Sequence, residues 1–303
     1  MPLAKSNNLG AHLALFAVAL IYSANYLIAK WVMPNPIGAN AFIVLRVTGA
    51  LALFLLVSFK FLELPKLRDV PIFLFCGLTG VATNQLFFFN GLSLTTPVNA
   101  SIIMCTNPIL VAILYFIGKK KFPSILTTTG ILLGSIGALG IILLRAPFEA
   151  STEYLKGDLF ILINSLSYGL YLVTAPRLMK KYKPITVVTW VFACGLLFIL
   201  PIGYSDASAI PWGTLTPLHW MSLAFIIVAV TFLTYLLNIY ALSKVSPTVT
   251  SAYIYLQPLL AGVFAFLFAG IGNQDHTGSI TFEKILFALL IFAGVYLVGK
   301  RND

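Results

Sequence analysis

The sequence predicts an all-α integral membrane protein of ten transmembrane helices, arranged as a 5+5 inverted repeat. Of its 303 residues, 59% are apolar and only 9% are charged, whereas soluble domains carry about 25% charged residues. The apolar residues form long blocks, and about 20 helical residues are needed to cross a bilayer core about 30 Å thick. In addition, one proline-bracketed segment is written twice along the chain.

Proline, glycine and charge clusters divide the chain into ten predicted spans. In order, their bounds are 11–32, 38–59, 70–92, 96–117, 124–144, 157–179, 184–203, 217–242, 247–270 and 281–299. We expect an uncleaved first helix, because its basic flank holds only Lys5 and further spans follow. An outer-membrane barrel would need alternation with period two, which the sequence lacks.

The distribution of Lys and Arg between the loops predicts the orientation. With the N-terminus inside, 14 of the 19 basic residues lie in inside segments: Lys5, Lys60, Lys66, Arg68, Lys119, Lys120, Lys121, Arg177, Lys180, Lys181, Lys183, Lys244, Lys300 and Arg301. Four lie outside or at the outer edge: Lys30, Arg145, Lys156 and Lys284. We therefore expect a multi-pass protein of the cell (inner) membrane with both termini cytoplasmic. The net charge of +10 is then a topology signal, and no nucleic-acid partner is expected.

The twice-written segment indicates an internal repeat. "GLSLTTPVNASIIMCTNP" (91–108) returns 150 residues later as "ALSKVSPTVTSAYIYLQP" (241–258), with both prolines and the serine kept. We expect a first five-helix repeat over 1–146 and a second over 147–303. Because each half has an odd number of spans, the second enters the membrane upside down. Secondary transporters have this architecture, with the substrate near the midplane between the halves.

The chain resembles the ten-helix EamA-type members of the drug/metabolite transporter superfamily over nearly its whole length. The resemblance rests on the 5+5 layout, on "YSANYLIAK" at the end of span one, on Leu45–Arg46 in span two and on the twin segments. It implies a central cavity lined by spans one, three, four, six, eight and nine, with span two behind it. It also implies transport of small metabolites, often amino-acid export.

Polar residues inside the spans are the candidates for substrate binding, because such groups are costly in lipid and face protein or water. Thr231, Thr234, Tyr235 and Asn238 form one stripe of span eight, and Asn164, Ser167, Tyr168, Tyr171 and Thr174 a similar stripe of span six. The predicted substrate-binding residues are Tyr22, Asn25, Tyr26, Asn84, Gln85, Ser101, Asn107, Tyr168, Tyr171, Thr234, Tyr235, Asn238, Tyr253 and Gln257. For any one of them, helix–helix hydrogen bonding is the alternative.

Arg46 is the charged residue deep inside a span, and no Asp or Glu lies inside any predicted span to pair with it. It is either structural, which the place of span two in the resemblance favours, or a partner for a substrate carboxylate. Lys30, at the end of span one, reads as an interfacial residue. Pro108 and Pro258 should kink spans four and nine.

Glycines recur in span five at Gly130, Gly134, Gly137 and Gly140, and in span ten at Gly294 and Gly299. Such spacing lets helices approach closely. We therefore expect spans five and ten to form a seam between the halves. The three cysteines, Cys76, Cys105 and Cys194, lie in apolar runs and read as small buried residues.

Carboxylates and histidines are missing from the interior of the predicted spans. The nine carboxylates fall in loops or at span ends: Glu63, Asp69, Glu149, Glu153, Asp158, Asp206, Asp275, Glu283 and Asp303. His12, His219 and His276 lie near span ends as well. Proton relays use intramembrane Asp, Glu or His, so a facilitator or exchanger is expected, with sodium coupling left open. No cofactor or metal is expected.

These observations predict a secondary transporter of small polar or zwitterionic metabolites such as amino acids, working by alternating access and as a monomer in the bilayer. A channel-like pore is the alternative, although no selectivity filter is recognisable. An intramembrane enzyme is less favoured because H-E-x-x-H is absent and no nucleophile has a neighbouring acid or base. A purely structural role is the remaining alternative.

The charge distribution makes a prediction about topology. A reporter fused after Asp303 should behave as cytoplasmic, and one inserted in the 145–156 loop as external, because the basic loops stay inside. Paired alkaline phosphatase and fluorescent-protein fusions measure both positions. An external C-terminus would contradict the inverted arrangement, since it requires an odd number of spans.

Overall fold

The structure is a computed structural model that describes residues 9–119, 124–143, 152–245, 247–268 and 281–299. Throughout these ranges the regular structure is helical. Several predictions fall outside the described residues: the boundary between 146 and 147, the basic residues Lys5, Lys120, Lys121, Arg145, Lys300 and Arg301, and also Glu149, Asp275, Asp303 and His276.

The first five spans follow the predicted order. Span one is Leu9–Ile28 with the 3₁₀ turn Ala29–Trp31, and span two is Ala39–Ser58. Span three comprises Val70–Gly77, the π-helical stretch Leu78–Thr83 and Asn84–Leu94. Span four comprises Pro97–Met104 and Asn107–Lys119, and span five is Ile125–Leu143.

The second five spans repeat this pattern. Span six is Thr152–Thr174 with the short helix Pro176–Met179, and span seven is Pro184–Ser208. Span eight comprises Pro217–Phe225, the π-helical stretch Ile226–Leu233 and Thr234–Leu242. Span nine comprises Pro247–Ala252, the 3₁₀ turn Tyr253–Tyr255 and Leu256–Leu267, and span ten is Phe282–Gly299.

Length and hydropathy support a membrane protein. Over the described residues, eight spans are long and apolar enough to cross a bilayer, and spans five and ten contribute the shorter apolar stretches Ile125–Gly137 and Ile285–Gly294. Large apolar side chains such as Leu56, Leu132 and Leu259 are exposed on the outside of the bundle, where lipid replaces water as their solvent. The prediction of an all-α integral membrane protein is confirmed.

Proline starts many of these helices, as the sequence predicts. Pro97, Pro184 and Pro217 stand at the first positions of their helices, where the missing N–H costs nothing. At the start of span four, Thr96 is the N-cap and its hydroxyl accepts from the backbone N–H of Asn99 at 3.2 Å. These caps satisfy helix ends that lie at the membrane boundary.

The packing of the spans has an internal symmetry. Span one packs on spans eight and nine, and span six packs on spans three and four. Span two packs on spans seven and eight, span seven on spans two and three, and span five on span ten. Exchanging each span with the one five positions later leaves these pairs unchanged. Two groups result, the one-eight-nine group and the three-four-six group, and each takes spans from both halves of the sequence.

Spans five and ten form the predicted glycine seam. A Cβ on Gly294 would lie 2.5 Å from the carbonyl oxygen of Gly130 and 2.6 Å from the backbone nitrogen of Gly134. A Cβ on Gly137 would lie 2.7 Å from the carbonyl oxygen of Phe287. Only glycine permits backbones to approach this closely.

One carboxylate departs from the sequence prediction. Asp158 was expected at the end of span six, but the helix begins five residues before the predicted start, at Thr152, so Asp158 lies in its second turn. Its side chain is fully buried and accepts a hydrogen bond from the Thr95 hydroxyl at 2.5 Å. By contrast, Asp69 lies in a turn ahead of span three and is bound by Lys181 and Tyr182. Span seven also runs past its predicted end, to Ser208.

The seam generates a prediction about stability. Gly294→Ala should lower the stability of the protein by about 1–3 kcal/mol, because the new methyl group meets backbone atoms that cannot rotate away. Gly118→Ala is the matched control, since a Cβ there meets nothing within 4 Å and alanine is the better helix former. Thermal unfolding of the purified protein in detergent compares the two. Equal melting temperatures would contradict the close-packed seam.

Candidate functional site

A cavity lies at the centre of the bundle, lined by both three-span groups. Its empty volume, which includes space open to solvent, is about 730 Å³. Spans one, three, four, six, eight and nine all contribute side chains, as the resemblance implies. Span two also contributes Arg46, although the resemblance placed that span behind the cavity.

Most of the predicted substrate-binding residues meet in this cavity. Ten of the fourteen line it: Tyr22, Asn25, Tyr26, Asn84, Gln85, Tyr168, Tyr235, Asn238, Tyr253 and Gln257. They come from spans that are far apart in the sequence and share a wall only because the repeats fold around one centre. Their contact with a substrate remains a prediction.

Four predicted residues lie outside the lining: Ser101, Asn107, Tyr171 and Thr234. Ser101 and Thr234 each donate to a carbonyl of their own helix. Asn107 donates to the carbonyl oxygen of Ser165 at 2.6 Å, which joins span four to span six. The ring of Tyr171 packs against Gly80, where the absence of a Cβ leaves room. Of these contacts, the Asn107 bond is the helix–helix hydrogen bond that the sequence left as the alternative.

Several lining residues were not predicted: Leu15, Val18, Ala19, Phe88, Phe89, Met104, Asn164, Val230, Thr250 and Ile254. Asn164 carried a signal, because it belongs to the polar stripe of span six. The apolar residues carried no such signal, since a side chain facing a cavity and one facing lipid look alike in sequence.

Among the described residues, no group of three His, Cys, Asp or Glu could hold a metal ion.

Arg46 is the cationic group of the cavity. Its side chain is 3% exposed, and its Nε donates to Thr231 Oγ1 at 3.0 Å. Its guanidinium carbon lies 4.3 Å from the centre of the Phe89 ring, a cation–π contact. Among the described residues, no hydrogen bond engages its two Nη groups and no carboxylate lines the cavity. A buried charge without a counter-charge is costly, so the guanidinium has the capacity to pair with an anionic group.

Tyr22 is the centre of a polar network between spans one and eight. The Thr234 hydroxyl lies 2.5 Å from the carbonyl oxygen of Val230 and 3.2 Å from the Tyr22 hydroxyl. Because a carbonyl can only accept, the single Thr234 proton goes to Val230 and Tyr22 donates to Thr234. Asn238 Nδ2 lies 3.4 Å from the Tyr22 hydroxyl and donates to it. These contacts hold the ring of Tyr22 against the cavity.

Carboxamide groups on the cavity wall have unused hydrogen-bonding capacity. Asn25 Oδ1 and Asn164 Oδ1 are buried and have no hydrogen-bond partner, and neither end of the Gln85 carboxamide has one within 3.5 Å. The other end of Asn164 donates to the carbonyl oxygen of Asn84 at 2.6 Å, which fixes its orientation. Buried polar atoms are normally paired. The two free carbonyl oxygens are therefore acceptors suited to an N–H donor of a ligand.

Tyr26 connects the two groups through an aromatic contact. Its hydroxyl donates to Gln257 Oε1 at 2.9 Å within the one-eight-nine group. Its ring packs on Phe88 of span three at 5.4 Å between centroids. Near the N-terminal end of span one, His12 Nδ1 lies 2.8 Å from the hydroxyl of Tyr253 in span nine. The cavity therefore combines an apolar and aromatic wall with a few fixed polar groups.

Both halves leave α-helical geometry at matching places in spans that line the cavity. The π-helical stretches Leu78–Thr83 and Ile226–Leu233 lie in spans three and eight, which correspond in the repeat. In span eight, Thr231 Oγ1 donates to the carbonyl oxygen of Ile226, five residues earlier, at 2.7 Å. The lone pairs of Thr231 Oγ1 thus remain available to Arg46. Turns of π-helix often occur at functional sites.

Side chains from other spans bind the carbonyls of the span-three π-helix. Ser167 donates to the carbonyl oxygen of Thr79 at 2.6 Å, within the three-four-six group. Tyr235 donates to the carbonyl oxygen of Gly80 at 2.9 Å and so crosses from one group to the other. Most of the side-chain hydrogen bonds described above stay within one group, whereas the Tyr235 bond joins the two groups.

Spans four and nine are interrupted where Pro108 and Pro258 were expected to kink them. Span four breaks at Cys105 and Thr106, and span nine tightens to a 3₁₀ turn at Tyr253–Tyr255. The two interruptions meet, since Cys105 Sγ lies 3.8 Å from the carbonyl oxygen of Ile254. The twin segments therefore place matching irregular turns at the cavity.

Comparison with known proteins gives a consistent result. The model of the EamA-like transporter family matches residues 9–143 and again residues 155–300. An uncharacterized transporter of Archaeoglobus fulgidus is 26% identical over 226 residues, 75% of each chain. The uncharacterized transporter YyaM of Bacillus subtilis is 24% identical over 307 residues, 97% of each chain. A WAT1-related protein of Arabidopsis thaliana is 25% identical over 320 residues, 95% of this chain and 84% of that protein.

A solved crystal structure has the same fold. It superposes with a TM-score of 0.65 at 18% sequence identity and covers 96% of both chains. At this identity the likeness concerns the fold alone. It extends over the whole ten-span bundle.

The span-eight wall generates a prediction about binding. Tyr235→Phe and Asn238→Ala should each weaken ligand affinity by about tenfold, because each removes a polar group held at the cavity surface. Tyr240→Phe is the matched control, since Tyr240 is on the same helix and its side chain is 43% exposed on the bundle surface. Uptake by proteoliposomes and the melting temperature are measured for all three. Unchanged affinity in both cavity variants would show that the polar stripe of span eight serves helix packing and not ligand binding.

Proposed function

The chain belongs to the EamA-like transporter family, and from that membership we propose that it moves small zwitterionic metabolites such as amino acids across the cell (inner) membrane. One observation supports this substrate class: a buried guanidinium and amide oxygens without hydrogen-bond partners lie in the same cavity. Arg46 would bind a carboxylate in the bidentate geometry that guanidinium groups favour. Asn25 Oδ1 and Asn164 Oδ1 would accept from the ammonium group.

The rest of the wall sets the preference for the substrate side chain. Phe88, Phe89, Met104 and Val230 line the cavity and offer apolar surface. A medium-sized aliphatic or aromatic side chain buries its area against them at about 25 cal/mol per Å². Because the cavity lining in the described residues holds no carboxylate, a cationic side chain lacks a counter-charge. Amino acids with apolar side chains therefore fit best.

Alternating access follows from how the spans are grouped. We propose that residues 1–146 and 147–303 are two inverted five-helix repeats, with both termini cytoplasmic. The one-eight-nine group and the three-four-six group would rock against each other as units, because hydrogen bonds such as Asn107 to Ser165 hold each one together. The Tyr235 bond to Gly80, which joins them, would change during the cycle. The cavity is lined within one chain, so a monomer suffices.

Counterflow tests the substrate class. Purified protein in liposomes loaded with an unlabelled amino acid should take up the same labelled amino acid transiently above its external concentration. L-Leucine, L-phenylalanine, L-lysine and L-glutamate form the panel, and the first two should exchange at least about tenfold faster than the last two. An equal rate for all four, or no exchange by any, would contradict the proposed substrate class. Ion conductance without counterflow would instead identify a channel.

The lack of Asp, Glu and His in the described cavity lining predicts uncoupled transport. Among the described lining residues none is Asp, Glu or His, and Asp158 is buried away from the lining. With L-leucine equal on both sides of proteoliposomes, an imposed pH gradient should therefore cause no net accumulation. Accumulation that collapses with a protonophore would show coupling, and Asp158 and His12 would be the first groups to test.

A further inference from the structure

We propose that Thr231 is a positioning residue that sets the specificity of the cavity for carboxylates by fixing the guanidinium of Arg46. The proposal rests on the proposed function, in which Arg46 receives the substrate carboxylate. Thr231 is fully buried and does not line the cavity. Any effect of its hydroxyl on ligand selection must therefore pass through another residue.

The geometry holds the guanidinium at two points. Thr231 Oγ1 accepts from Arg46 Nε at 3.0 Å, and the Phe89 ring covers one face at 4.3 Å from the guanidinium carbon. The hydrogen bond fixes one edge of the planar group, and the ring fixes the plane. The two Nη groups are then the donors left for a ligand. Their shared edge is the one that matches a carboxylate in a bidentate pair.

The π-helical stretch of span eight orients the threonine. Thr231 Oγ1 donates its proton to the carbonyl oxygen of Ile226 at 2.7 Å, so the lone pairs face away from its own helix. A hydroxyl whose proton is committed in this way acts toward Arg46 purely as an acceptor. A valine of the same shape would fill the space but would offer no acceptor.

The pair formed by Arg46 and Thr231 has no counterpart at the positions that the repeat makes equivalent. The position in span three that corresponds to Thr231 is Val81. The position in span seven that corresponds to Arg46, when Pro36 is matched to Pro184, is Cys194. In that second arrangement span three and span seven meet through small apolar contacts, where a Cβ on Gly195 would lie 2.6 Å from the Cβ of Val81. The scaffold itself therefore does not require a hydroxyl at this place.

The test compares ligands that differ by one functional group. Binding of L-leucine and of 3-methylbutylamine, which lacks the carboxylate, is measured by calorimetry on the purified protein in nanodiscs. The selectivity is the ratio of the two dissociation constants. The wild type should prefer L-leucine by at least about tenfold. Thr231→Val should reduce this ratio by about tenfold, and Thr231→Ser, which keeps the hydroxyl, should restore it to within about twofold of the wild type.

Thr79→Val is the matched control. Thr79 lies in the other π-helical stretch, and its hydroxyl also donates to a carbonyl of its own helix, at 2.8 Å. It is not in the cavity lining, so its ratio should stay at the wild-type value. An equal fall in Thr79→Val and Thr231→Val would mean that any disturbance of a π-helix changes selectivity, which would overturn the proposal.

The remaining outcomes separate the two levels of inference. A wild-type ratio near one contradicts the carboxylate site itself and hence the proposed function. A high wild-type ratio that Thr231→Val leaves unchanged keeps the proposed function and overturns the role of Thr231, as does a Thr231→Ser ratio as low as that of Thr231→Val. If Thr231→Val does not fold, Phe89→Leu removes the other hold and must lower the ratio in the same way. An unchanged ratio in Phe89→Leu then overturns the proposal.

Discussion

The structure depends on the rule that backbone polar groups inside a bilayer must find partners within the protein. A regular helix meets this rule by itself, but spans three, four, eight and nine are irregular where they line the cavity. Side chains of neighbouring spans bind backbone carbonyls at these places. Ser167 and Tyr235 donate to the carbonyls of Thr79 and Gly80 in the π-helical stretch of span three, and the Cys105 thiol lies 3.8 Å from the carbonyl oxygen of Ile254 in the 3₁₀ turn of span nine. The polar residues of the spans therefore serve first to make irregular helices possible, and the cavity exists because they do.

The two repeats provide a symmetric scaffold that carries asymmetric chemistry. Packing pairs are unchanged when each span is exchanged with its image, and the π-helical stretches recur at matching positions. The charge does not recur. Arg46 and Thr231 have Cys194 and Val81 as their images, so a guanidinium faces the cavity from one repeat alone. In the proposed alternating-access cycle, a symmetric scaffold would serve inward-facing and outward-facing states equally, whereas a single charged group would give the substrate one orientation in both.

The sequence predicts the spans far better than it predicts what each face of a span contacts. Hydropathy, and the prolines, glycines and charges that separate the spans, can be judged from short stretches of sequence. The predicted span bounds therefore agree with the structure to within a few residues, with Thr152 and Ser208 as exceptions. The early start at Thr152 is also why Asp158 was misplaced. The polar residues inside the spans located ten cavity residues because polar groups in lipid must face inward. They could not separate the cavity from tight helix contacts, so Asn107 and Tyr171 were included with the rest.

Arg46 links the chemistry of the cavity to its movement. At 4 Å, a pair of opposite charges gains about 4 kcal/mol where the effective dielectric constant is 20, but only about 1 kcal/mol in bulk water. Under the proposed function, a substrate carboxylate in the closed wall of Phe89 and its neighbours would be held by the larger interaction. In the alternating-access cycle proposed above, water would reach the guanidinium when the two three-span groups part on either side, and the attraction would fall toward the smaller value. The same opening that would give the substrate a path out would thus weaken its hold, without a separate release mechanism.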